Sequence, residues 1–180
     1  MTTHALLICA PLLAGVGLAA VIDFRERKIP NWITFTLILS GLILGATSTG
    51  MVSLGQSFLG LIVGFLLTLV LFLLGALGGG DVKLLAGIGA WLGPESALKV
   101  FALEAIIGLV IVLAQALQQR RMRTLFRNSA VLAVNLAHMN TLGVEHVKET
   151  GKTTRSVDRP LPYAVPVLIA LVILICRSWR

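Results

Sequence analysis

The chain has 180 residues, of which 57% are hydrophobic and only 13% charged, with a mean hydropathy of +0.93. A soluble domain carries about a quarter charged residues, so these values exclude a disordered chain and make the bilayer its expected solvent. The net charge of +7 then reads as basic cytoplasmic loops rather than a nucleic-acid footprint, and no nucleic-acid partner is expected.

In chain order, Ala5 to Ile22 is apolar throughout and has the length of one spanning helix. No Lys or Arg precedes it, so it lacks the basic region of a signal peptide. DFRERKIPN, Asp23 to Asn31, is the charged cluster of the first third, and no charge follows from Ile29 through Gly80. A second span is predicted over 32–46, with Pro30 suiting its start, and a third over 58–77 after the neutral TSTG turn. GGGD at Gly78–Asp81 opens a short fourth segment, 82–92, which Gly93-Pro94 ends. The fifth, 99–117, contains Glu104, and the sixth covers 161–176. The polar, basic stretch 118–160 separates them. Within it, residues 125–140 set Arg127, Asn128, Asn135 and His138 on one arc of a helical wheel. That helix either lies on the cytoplasmic membrane face or caps the bundle.

The expected architecture is an all-α polytopic integral membrane protein, one domain over 1–180, with six transmembrane helices and a basic cytoplasmic loop holding an interfacial helix. With the N-terminus outside, twelve of the fifteen Lys and Arg residues fall in cytoplasmic connections, as the positive-inside rule asks. If the short fourth segment did not span, the loop with eight of those residues would face outside.

This topology sets Asp23 and Asp81 at one depth on the cytoplasmic side. Ionisable groups in such positions tend to be functional. Two carboxylates held close together share a proton, so one can act as base on a water while the other, protonated, polarises a carbonyl. Taken alone, Asp81 reads as a dipole partner at a helix start, and Asp23 as part of an exposed ion cluster with Arg25, Arg27 and Lys28. Gly78 and Gly80, lacking Cβ atoms, permit close backbone approach, including that of an extended substrate segment. Lys83 either biases the aspartates or snorkels to the surface, and Glu26 either meets a basic substrate leader or pairs with its basic neighbours. Glu104 is placed nearer the outer end, away from the aspartates, as a structural or water-facing group. Pro160, Pro162 and Pro166 loosen the start of the last helix. Cys9 and Cys176 lie in apolar runs without a CxxC pair and read as buried bystanders, or as a disulfide if they share one side of the membrane. His4, His138 and His146 share no ligand spacing, so neither a metal nor another cofactor is expected.

Asp23 with the following IPN, the run GGGDVKLLAGIGAWLG and the late PLPYAVPVLIA together resemble the type IV prepilin peptidases, the GxGD membrane aspartic proteases of bacterial pilus and secretion systems. The size and loop content are most similar to the small form serving tight-adherence (Flp) pili. The resemblance implies Asp23 and Asp81 as the catalytic pair, and Gly78 and Gly80 as motif glycines. It also implies cleavage of basic leaders from prepilins, and of pseudopilins as further substrates, at the inner membrane. The larger relatives carry a cytoplasmic domain with paired CxxC motifs linked to N-methylation, which this sequence lacks, so methyltransferase activity is not expected. In presenilin-type proteases the first aspartate follows Tyr, whereas Asp23 follows Ile22. Two other functions fit the composition: a small proton- or cation-coupled transporter, and a non-catalytic subunit of a pilus or secretion complex. A transporter would place its carboxylates near the midplane, not at one edge.

Overall fold

The computed structural model describes residues 3–47, 50–74, 76–118 and 162–178. These residues are all-helical, in the order α1 (Thr3–Glu26), α2 (Asn31–Ala46), α3 (Leu54–Leu73), α4 (Gly79–Gln118) and α5 (Ala164–Ser178). α3 and α4 are long and apolar enough to cross a membrane. Large apolar side chains such as Phe24, Trp32, Phe35 and Phe58 face outward, the pattern of a helical membrane protein rather than of a water-facing surface. The expected loop 118–160 and its helix at 125–140 lie almost wholly outside the described residues.

α4 is two helical limbs joined by a bend. Gly93 has φ 82° and ψ 174°, a conformation open essentially to glycine alone, and Pro94 begins the second limb, where its missing N–H costs nothing. A straight helix would put Gly80 and Gly108 about 42 Å apart at 1.5 Å per residue, yet both line one cavity. The chain therefore reverses at Gly93, and limb 94–118 returns alongside limb 79–92. The reversal stands where the Gly93-Pro94 signal set it, although the first limb begins at Gly79 and the second at once after the bend.

The first limb is the centre of the molecule. Leu84, Leu85, Ile88 and Ala90 are fully buried, and a helix apolar all round packs on every side. Around it gather Leu12 and Val16 of α1, Ile33 and Leu37 of α2, Val100 of the return limb, and Val167 and Leu171 of α5. Small residues set the spacing. A Cβ on Gly60 of α3 would fall 2.1 Å from the Gly89 carbonyl oxygen, so the two backbones touch, as in membrane helix pairs. The Trp91 indole N–H donates to the Leu37 carbonyl oxygen at 2.8 Å, tying this limb to α2.

α3 corrects the expected span of 58–77 by four residues. It starts after Ser53, whose backbone is extended, and ends where the Ala76 N–H closes on the Leu71 carbonyl at 2.9 Å. Both cysteines are free thiols, and Cys176 is exposed rather than buried.

Candidate active site

Three segments far apart in sequence meet at one cavity of about 770 Å³. They are the DFRERKIPN stretch, the GGGD turn and the start of α5. Asp23 lies in the last turns of α1 and is only 5% exposed. Its Oδ2 accepts the Ala164 N–H at 3.0 Å, so it caps α5, whose first amides lack partners within their own helix. Asp23 is thus no member of an exposed ion cluster. Among the described residues the one ion pair is Lys99–Glu95, and Glu26 pairs with none of its basic neighbours.

Asp81 sits at the third position of α4, half-buried, and its Oδ2 accepts the Gly78 N–H at 2.8 Å. This is the reach-back half of a capping box. The helix-start role expected of an acidic residue here is therefore present, and it fixes one oxygen while Asp81 still lines the cavity. Asp23 and Asp81 line the same cavity. Oδ1 of each has no hydrogen-bond partner among the described residues.

The motif glycines have separate tasks. A Cβ on Gly80 would fall 2.9 Å from Ile29 Cβ and 3.2 Å from its carbonyl oxygen, so Gly80 lets the IPN segment lie against the aspartate turn. Gly78 supplies the N–H that holds Asp81. Lys83 neither snorkels freely nor contacts the aspartates; its Nζ donates to Asn31 Oδ1 at 2.8 Å, joining the GGGDVK run to the first residue of α2. Arg27 takes a left-handed conformation, φ 54°, unusual for a side chain with Cβ, and its N–H caps the Asp23 carbonyl at 2.9 Å. Arg27 and Lys28 form part of the cavity wall.

Glu104 is the residue whose expected position is overturned. It lines the same cavity as the aspartates, is 4% exposed and accepts the Tyr163 hydroxyl hydrogen bond. Asp81 lies twelve residues before Gly93 and Glu104 eleven after it, so equal helical rise brings them to one height. Counting from the bend, rather than from the outer end of the span, was the signal that would have found it. Tyr163, Pro162 and Pro166 also line the cavity, whereas Pro160 lies outside the described residues.

Residues 10–113 match the type IV leader peptidase family. The chain belongs to this family. The matched range holds both aspartates and most of the two helices that carry them. The chain is 34% identical over 109 residues to a prepilin leader peptidase/N-methyltransferase of Pectobacterium carotovorum subsp. carotovorum, covering 57% of this chain and 39% of that protein. It is 36% identical over 123 residues to the protein of that name from Burkholderia pseudomallei (strain K96243), covering 64% and 38%. A preflagellin peptidase of Methanocaldococcus jannaschii is 39% identical over 80 residues, covering 42% and 34%. The chain thus spans about two fifths of the length of the curated family members it matches first. No solved structure matches the chain.

Proposed function

We propose that the chain is a membrane aspartic endopeptidase that removes the basic leader of prepilin-type proteins. The observation that carries this reading is the convergence of Asp23 and Asp81, from separate helices, on one cavity, each with one oxygen fixed by a backbone N–H. Such a pair has its geometry set before substrate arrives and leaves the second oxygens for chemistry. One carboxylate takes a proton from water as the oxygen attacks the scissile carbonyl. The other hydrogen-bonds that carbonyl and then protonates the departing amine as the C–N bond breaks. The names borne by the family members cited above support the substrate class. Prepilins and pseudopilins of tight-adherence systems are the substrates this reading favours.

The same reading places six spans in a bacterial inner membrane with the N-terminus outside. α3, at about 30 Å, matches the hydrocarbon thickness, and the GGGD turn follows its end, so the aspartates lie about one turn inside the cytoplasmic boundary. A substrate helix held in the bilayer would bring its leader junction to that depth. Co-expression with a prepilin-type protein tests the assignment. Mass measurement of the recovered substrate is expected to give a new N-terminus just before its hydrophobic helix, and an intact leader would refute it.

A further inference from the structure

The peptidase chemistry uses two of the three carboxylates in the cavity and leaves Glu104 without a task. Glu104 Oε2 is enclosed with no hydrogen-bond partner among the described residues. A buried acid with an orphan oxygen is a poor packing element. Its directed contact is the hydrogen bond that Oε1 accepts from the Tyr163 hydroxyl. Tyr163 immediately precedes Ala164, whose N–H donates to Asp23 Oδ2 at 3.0 Å. The Tyr163 Cα and carbonyl lie in the same rigid peptide plane as that N–H. Anchoring the phenol therefore restricts the plane that presents the donor to Asp23. Pro162, with φ locked by its ring, removes further freedom on the other side of Tyr163.

We infer that Glu104 and Tyr163 are positioning residues, whose mutual hydrogen bond orients the Tyr163–Ala164 peptide so that its N–H holds Asp23 toward Asp81. The inference rests on the reading of Asp23 and Asp81 as the catalytic pair. It explains why an acid of the return limb and a tyrosine from the start of α5 share the cavity with them.

The test uses the full chain, purified in detergent, with a prepilin-type substrate. Tyr163→Phe deletes one oxygen, and Glu104→Leu deletes its acceptor. Each is expected to lower kcat about tenfold, the scale of a sub-ångström misplacement, with KM within about twofold. The double variant should fall no further than the worse single variant, because both remove one interaction. Glu104→Gln, whose amide oxygen still accepts the hydroxyl, should recover to within about threefold of the parent. Equal deficits in Glu104→Gln and Glu104→Leu would overturn the inference in favour of a charge role. A changed KM with intact kcat would overturn it in favour of substrate contact, and multiplying losses in the double variant would overturn the linkage. Should Glu104→Leu fail to fold, Tyr163→Phe alone decides: parental kcat defeats the inference. Asp81→Asn separates the two levels. Parental cleavage by Asp81→Asn defeats the catalytic pair and this inference with it, whereas loss of cleavage there with parental Tyr163→Phe defeats the inference alone.

Discussion

Replacing Gly80 by Ala probes the packing that holds Asp81. The new methyl would fall 2.9 Å from Ile29 Cβ and 3.2 Å from the Ile29 carbonyl oxygen. Carbon atoms rest at about 3.5–4.0 Å, so the first turn of α4 and the IPN segment must part by about 0.6–1 Å. Overpacking of this kind costs about 1–3 kcal/mol, and the better helix propensity of Ala returns up to about 1 kcal/mol, leaving a small loss of stability. The effect on activity is expected to be larger, because Asp81 follows immediately and a shift of about 1 Å at a reacting group lowers rates up to about a hundredfold. Gly79→Ala is the internal control. Its Cβ would meet only Phe72 Cε2 at an ordinary 3.8 Å, so its leader cleavage should stay within about threefold of the parent. The assay is cleavage rate in detergent beside a thermal melt of the same samples. Equal activity in the two variants would refute the reasoning, as would a Gly80→Ala loss accounted for wholly by unfolding.

Other perturbations test other parts of the account. Gly60→Ala drives a methyl to 2.1 Å from the Gly89 carbonyl oxygen, a backbone atom that cannot swing aside; thermal melting should fall by the equivalent of about 3 kcal/mol or more, while Gly55→Ala, with nothing within 4 Å, should melt like the parent. Lys83→Ala loses the 2.8 Å bond to Asn31 at an exposed site, so a cost of about 0.5–1.5 kcal/mol and a modest drop in cleavage are expected, and complete inactivation would contradict a purely bridging role. For topology, a cytoplasm-restricted thiol reagent is expected to reach a cysteine introduced at Thr153 but not one at Ser53, with the reverse pattern overturning the orientation.

Much of this arrangement was legible in the residues. Asp23, Asp81 and the glycines before Asp81 stand out because they flank a stretch, Ile29 through Gly80, without a charge, and Gly93-Pro94 marks the bend because only glycine tolerates its backbone angles. What remained hidden were contacts between distant segments. Nothing in spacing says that Lys83 bonds Asn31, or that Asp23 caps a helix beginning at Ala164. The height of Glu104 is hidden too, because it is fixed relative to Asp81 by the short first limb of α4 and not by distance from a membrane edge. The start of α3 slipped by one turn because an apolar run has no internal mark of where its helix begins.

The central claim is that Asp23 and Asp81 act together on the leader peptide bond. Asparagine at either position has nearly the same shape and an amide oxygen that can still accept the Ala164 or Gly78 N–H, so Asp23→Asn and Asp81→Asn should fold like the parent. Purified with a prepilin-type substrate, each single variant is expected to lose leader cleavage by at least about a thousandfold, the combined scale of lost general acid–base catalysis and proton sharing, while melting near the parental temperature. Parental leader removal by either folded variant would contradict the account.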